Sequence, residues 1–324
     1  MDLILAKADG QEERILPFDF DFDLGGENDF QIKLTYASWD DRLTIGARVY
    51  VPGTEFGGII KKISSATNTG NIFLDGFSWR GYLAHRIIRP AAGQDYRIVS
   101  GELNAIISEL VDIPGFVVSS FNTGVTVNSY QFNRYVTVLE GIESMLRSVG
   151  YRLNIEYMQT QTGGYVSIGS VPAGQYGSQV EYSQDSMIDF SSTDDQMGAN
   201  HLVCLGTGEL KDRIVIDLYA DADGNISEMQ TITGTDEIVE TFENSGAERE
   251  TLLETGKDRL KELLNKKSFT AEIKDVNEEL FIGDIITGSD YITGNSVTKP
   301  IVSKIVKRTN GVVSIDYKIE GQTT

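Results

Sequence analysis

Residues 17 to 23 read Pro17-Phe18-Asp19-Phe20-Asp21-Phe22-Asp23. Strict alternation puts the three phenyl rings on one face of an extended strand and the three carboxylates on the other. Gly25-Gly26 breaks the run, and Phe30-Gln31-Ile32-Lys33-Leu34-Thr35-Tyr36 then alternates again, the pattern of a hairpin with one dry face. Strand-like runs follow at 43–51, 58–63 and 71–77, separated by Gly, Asn and Pro. Short strands at this spacing predict a small barrel or sandwich over residues 1–90.

Beyond residue 90 the period changes. Leu103, Ile106, Ile107, Leu110 and Val111 fall at helical spacing, with Ser100 placed as an N-cap and Pro114-Gly115 as the stop. A second helix is predicted from Arg134 to Val149, with Tyr135, Val138, Leu139, Ile142, Met145, Leu146 and Val149 on one stripe. Gly150 stands where a left-handed C-terminal residue is needed. Alternation returns at 151–157 and 165–171, so 91–195 reads as an α/β module. Strand signals at 200–205 and 213–219 place 196–240 as strands returning to the first barrel. A third helix opens on the capping box Ser245-Gly246-Ala247-Glu248, turns Leu252, Leu253, Leu260, Leu263 and Leu264 inward, and runs to Asn265.

The two ends of the chain resemble each other. Ile45-Gly46-Ala47-Arg48-Val49 is followed by Gly58-Ile59-Ile60-Lys61-Lys62-Ile63, and Ile282-Gly283-Asp284-Ile285-Ile286 by Pro300-Ile301-Val302-Ser303-Lys304-Ile305. Aligned this way, the gap between the paired segments differs by a five-residue insertion. The predicted fold class is α+β, mainly β: two similar small β-barrels, an intervening α/β module, and a helix before the second barrel, the last two together filling 241–324. A protomer with two similar barrels lets three chains present six, so a trimer can sit on a six-fold ring.

Composition narrows the function. The 324 residues carry 28 Lys+Arg against 48 Asp+Glu, a net charge of −20, which opposes a grip on phosphate backbones. The 33 Gly against 6 Pro fit a fold with many turns. A single cysteine, Cys204, excludes an intrachain disulfide, and the two histidines, His85 and His201, leave little material for a transition-metal site. No apolar run approaches the roughly 20 residues of a membrane helix, and the N-terminus lacks the features of a secretion signal. The expectation is synthesis in a cytoplasm, with no membrane anchor.

The segment Gly76-Phe77-Ser78-Trp79-Arg80-Gly81-Tyr82-Leu83, then Arg86-Ile87-Ile88-Arg89-Pro90 and Gly93-Gln94-Asp95-Tyr96-Arg97-Ile98-Val99-Ser100-Gly101-Glu102, resembles the signature of phage tail-tip and baseplate hub proteins, as does Asn28-Asp29-Phe30. This family includes contractile-phage hubs, their counterparts in siphophage tails, and hubs of defective prophages. The likeness spans residues 15–150 in detail. It implies a homotrimeric, pseudo-hexameric ring at the distal end of a tail. A tail tube or distal tail protein ring lies above it, and spike, fibre or lysin proteins lie below. DNA passes through without specific binding. The implied location is the virion baseplate or tail tip, after synthesis in the bacterial host cytoplasm. Relatives often carry long C-terminal extensions with lytic or receptor-binding parts, whereas this chain stops at Thr324.

Candidate chemistry is thin. Cys204 and His201 form a nucleophile–base pair by type, but three positions apart on a strand they face opposite sides. Asp221-Ala222-Asp223-Gly224-Asn225 begins like a calcium loop, yet lacks Gly at the sixth position and has Ile232 at the twelfth, so it reads as a hairpin turn. Asp19, Asp21 and Asp23 read as a solvated or partner-facing acidic strip. Trp79 is expected in the core, and Trp39 is the better candidate for an exposed platform. No catalytic, cofactor-binding or metal residue is assigned, and no cofactor is expected. The leading expectation is a non-enzymatic hub. A carbohydrate-binding adsorption module and a peptidoglycan hydrolase are the alternatives.

Overall fold

The computed structural model describes residues 1–176, 188–195, 197–230, 232–264, 266–273, 279–289 and 296–320. The chain divides into two compact units, one of Met1–Phe190 with Ala271–Glu320 and one centred on Ser191–Thr270. Its four α-helices among the described residues are α1 (Trp79–Ala84), α2 (Leu103–Leu110), α3 (Val138–Arg147) and α4 (Arg249–Leu263).

The first unit is built on the Phe/Asp strand. Asp19–Leu24 buries every second residue, with Phe18, Phe20 and Phe22 each under a tenth exposed. It pairs antiparallel with Asp29–Thr35, and that strand with Asn71–Phe77, whose other neighbour is the edge strand Lys62–Ala66. A second sheet, ordered Glu12–Leu16, Leu3–Ala6, Arg48–Tyr50, Gly57–Ile59, closes over it. Their shared core holds Leu3, Leu5, Phe22, Phe30, Val49 and Phe56. Two β-sheets thus face each other across one core over these residues.

The C-terminal strands differ from expectation. Ser296–Thr309 pairs with Val312–Ile319 on one side, but on the other it joins Asp19–Leu24, with Val306 opposite Phe22. Both ends of the chain thus share one sheet, and Val306 sits in the same core as Phe22. The two sheets of the N-terminal part meet at an antiparallel bridge between Gly58 and Ser78. A mainly β fold with helices is what the chain has. The physical reason is edge pairing: a long strand next to an unpaired neighbour satisfies its backbone donors by joining it.

The internal repeat nevertheless has a structural counterpart. The Gly46 amide donates to Ile60 O at 2.9 Å, and the Ile60 amide to Ala47 O at 2.9 Å. The Gly283 amide donates to Ile301 O at 2.8 Å, and the Ile301 amide to Asp284 O at 2.8 Å. Registers agree outward from there: Arg48 opposes Ile59 as Ile285 opposes Pro300, and Ile63 opposes Leu74 as Lys304 opposes Tyr317. This register aligns Ile60 with Ile301, so the insertion between Gly283 and Ile301 is one residue shorter than the sequence alignment implies.

The α/β segment carries a three-stranded sheet (Phe116–Val118, Gly163–Pro172, Tyr151–Thr160) and a pair (Ile98–Glu102, Thr126–Gln131), packed with α1, α2 and α3 around Leu103, Ile107, Ile142, Met145 and Ile168. Helix starts are corrected here. The strand continues through Ser100, whose hydroxyl accepts from the Ser129 amide at 2.8 Å, so Glu102 caps α2 instead, accepting from the Ala105 amide at 3.0 Å. Helix α3 begins at Val138 behind the Thr137 cap rather than at Arg134. Tyr135 precedes it at φ 59 and is exposed, because a left-handed residue cannot belong to the helix. Gly150, at φ 74, ends it as expected.

In the second unit four strands pair in the order Ile226–Ser227, Val215–Ala220, His201–Leu205, Val239–Glu243. These pair among themselves, a correction to the expected return to the first barrel. The physical reason is a complete local core: Leu252 and Leu260 of α4 meet Leu202, Cys204, Ile216 and Leu218. Glu248 is the N-cap of α4 and makes no side-chain capping bond, so the predicted capping box does not form. Its predicted end, Asn265, lies outside the described residues, as does Thr324.

Candidate functional site: a buried signature node and an acidic sheet face

The residues that carry the hub resemblance come together. Asn28, in the left-handed region at φ 57, ends the first hairpin turn, its Oδ1 accepting from the Gly25 amide at 2.8 Å. Its carbonyl accepts from the Ser78 amide and hydroxyl, both at 2.9 Å. Ser78 in turn caps α1, accepting from the Gly81 amide at 3.3 Å. A Cβ on Gly76 would fall 2.1 Å from Ile59 O and within 2.8 Å of the Phe30 ring, and one on Gly81 would fall 2.4 Å from Asn28 O. Only glycine admits such close approach. The motif is an assembly device for the fold, its Ser78 hydroxyl bonded to the Asn28 carbonyl and to the first turn of α1.

Arg80 is the charge at its centre. It is 1% exposed, with Nε 2.8 Å from Glu55 Oε2 and Nη1 2.6 Å from Glu143 Oε1. Burial alone would favour loss of its proton, but the two carboxylates outweigh that and hold the guanidinium charged. Beside it Arg152 Nε lies 2.9 Å from Asp284 Oδ1, with its guanidinium 4.2 Å from the Phe281 ring centre. Lys304, 1% exposed, reaches Glu279 at 3.3 Å and lies over Phe56 and Phe281. Glu55, Arg80, Arg152, Glu279, Phe281 and Lys304 line one cavity of about 170 Å³. The sequence reading missed this cluster, since its partners are far apart along the chain. Its one local signal is an arginine between Trp79 and Gly81 on a buried helix.

The Phe/Asp strand presents its carboxylates as expected. Asp19, Asp21 and Asp23 turn away from the core and meet Asp29 and Asp75 of the next two strands, with Lys33, Lys62 and Lys307 between them. Asp23 directly opposes Asp29. Partial burial, then the charges of Asp23, Glu27, Asp21 and Asp75, hold the Asp29 carboxyl above its ordinary range. Lys307 answers Asp21 at 3.0 Å, and this hydrogen bond raises its own pKa.

The other candidates resolve as structure. His201 and Cys204 do not meet: the His201 ring nitrogens lie 2.8 Å from Glu237 and 2.9 Å from Asp217, while Cys204 is fully buried on the opposite strand face. Burial, with Asp217 nearby, pushes the Cys204 thiol up to about 11, away from nucleophilic chemistry. The Asp221 carboxylate accepts from the amides of Asp223 (2.9 Å) and Asn225 (2.8 Å) and from the Asn225 side chain (3.0 Å). It is consumed by its own turn. Trp79 is buried, stacked on Tyr157 at 5.2 Å between ring centres. Trp39 is 38% exposed and with Tyr36, Ile63 and Ile72 lines an open depression of about 370 Å³.

No helix among the described residues is long and apolar enough to cross a membrane. No family model matches the chain, and no curated protein matches it significantly. Among solved structures, a chain of the phage P2 baseplate in its activated conformation is similar with TM-score 0.55 at 10% identity, covering 99% of both chains. Prophage tail protein gp18 of Listeria monocytogenes EGD-e gives TM-score 0.49 at 16% identity, covering 100% of this chain and 96% of that one. The tail protein of Neisseria meningitidis MC58 gives 0.47 at 15%, covering 99% and 97%. The P2 likeness runs over essentially the whole length of both chains, and the fold of this protein is that of a phage baseplate chain, in keeping with the hub resemblance of its residues 76–102.

Proposed function

We propose that this chain is a non-enzymatic hub of a phage-like tail, a homotrimer whose paired β-units imitate six-fold symmetry. In this reading it joins the tail tube to the tail tip and belongs to the virion. The observation that carries the proposal is the matched register around Gly46–Ile60 and Gly283–Ile301. In the C-terminal copy, the strand holding Ser303 to Lys307 lies between two neighbours, Val312–Ile319 and Asp19–Leu24. The equivalent strand of the first copy, Lys62–Ala66, has a neighbour on one side only among the described residues. A second copy of the chain is the occupant that repeats the internal pairing, and the Tyr36/Trp39 depression beside that edge supplies apolar area for it. The acidic sheet face suits a wall past which DNA slides, because like charges repel the backbone.

Light scattering and native mass measurement across a concentration series test the reading. A trimer is expected, weakened by Trp39→Glu. A monomer at every concentration and in purified particles overturns it.

A second reading, a carbohydrate-binding adsorption module, draws on the exposure of Trp39 and Tyr36. Binding of wall glycans that Trp39→Ala abolishes, with the oligomeric state unchanged, would favour it.

A further inference from the structure

Arginines in this acidic protein are mostly matched. Arg14, Arg42, Arg80, Arg97, Arg147, Arg152, Arg213, Arg249 and Arg259 each have a carboxylate within 3.1 Å. Arg89 and Arg134 have none among the described residues, and they line the same groove, of about 540 Å³. No carboxylate among the described residues lines it; Ile87, Pro90, Ala91 and Tyr135 do. Arg86, next to it, donates to a backbone carbonyl, His85 O, at 3.2 Å, and has no carboxylate partner among the described residues. In a chain with twenty excess acids, arginines left unpaired together on an apolar floor mark a surface shaped for an anion from outside.

The groove is also held in place. The Ile88 amide donates to Val136 O at 2.9 Å and the Val138 amide to Arg86 O at 2.8 Å, fixing its two walls to each other. Between them Tyr135 is kept at φ 59, a costly conformation for a bulky residue; the residue is 56% exposed, with the Arg134 guanidinium 5.3 Å from its ring centre. Ile87 is 44% exposed. A large aromatic held out into solvent against its backbone preference is poised for contact.

We propose that this groove docks a partner protein through a segment in which acidic and apolar side chains alternate. Carboxylates pair with Arg89 and Arg134, and apolar side chains cover Ile87 and Tyr135. Charge complementarity names the acidic part of the partner, and the apolar lining distinguishes it from a fully hydrated phosphate polymer, which would leave that lining wet. The proposal is independent of ring assembly, whose readout is the oligomeric state.

Fluorescence anisotropy with the full-length protein and a labelled peptide of repeating Asp-Leu-Glu-Phe tests it, with inorganic polyphosphate as a second probe. Saturable, salt-sensitive peptide binding is expected, weakened at least about tenfold by Arg89→Glu with Arg134→Glu. Arg259→Glu with Lys261→Glu, the same charge change on α4, should leave affinity unchanged. Tyr135→Gly should weaken binding without lowering the thermal midpoint, since glycine accepts that φ freely. Absence of peptide binding, binding unaffected by the double reversal, or capture of polyphosphate but not peptide would each overturn the proposal.

Discussion

Gly46 and Gly283 occupy the same place in two copies of one turn, at φ 95 and φ 96, each donating its amide to the strand that returns beside it. Their surroundings differ. A Cβ on Gly46 would meet nothing closer than 3.9 Å, whereas one on Gly283 would fall 2.7 Å from Arg152 Cβ. Gly46→Ala should therefore cost only the backbone strain, about 1–2 kcal/mol. Gly283→Ala should cost more, at least about 3 kcal/mol, because Arg152 must also move away from Asp284. Urea unfolding of both variants checks the order, and equal costs would refute the argument.

Arg80 should be among the most sensitive polar positions. Arg80→Met leaves Glu55 buried with an uncompensated charge, and loss of one partner of a buried pair typically costs about 3–5 kcal/mol. Adding Glu55→Gln should restore part of that loss. A cost below about 1 kcal/mol in chemical denaturation would show that the pair adds little.

Asp29 sets a pH dependence of defined sign. Its carboxyl is held above the ordinary 3.8, so the folded state binds a proton more readily than the unfolded chain. This group's contribution falls as pH rises from the unfolded value through the raised folded one. Asp29→Asn should raise the thermal midpoint at neutral pH, and the gain should vanish once pH drops below the unfolded value. A gain that persists in strong acid would contradict this assignment.

Cys204 should be inert while the protein is folded. Its thiol is fully buried, and a Cβ on Gly256 would fall 2.6 Å from Sγ. A chromogenic disulfide reagent should label it slowly in buffer and rapidly in urea. Gly256→Ala should speed native-state labelling by loosening α4 against its sheet. Labelling of the native wild type as fast as that of the unfolded chain would overturn the burial argument.

Much of this could be read along the chain, because much of it is local. The alternation of Phe18 to Asp23 set the buried and wet faces, since a strand has period two. Cys204 and His201 were separable as a pair for the same reason. The stripe Val138 to Leu146 marked α3, and the segments around Gly46 and Gly283 were legible as resembling each other. Helix starts were less legible: strand pairing claimed Ser100, a left-handed Tyr135 separates Arg134 from α3, and α4 takes Glu248 rather than Ser245 as its N-cap.

What the amino-acid order determined unaided is periodicity, the acidic face, the repeat and the absence of a cysteine framework, all consequences of neighbours a few residues apart. Only the tertiary structure decided that Ser296–Thr309 lies beside Asp19–Leu24, that Arg80 finds both Glu55 and Glu143, and that Arg89 and Arg134 share a groove. Those pairings join residues distant in sequence, and their energy comes from edge donors and buried charges that must find partners in space.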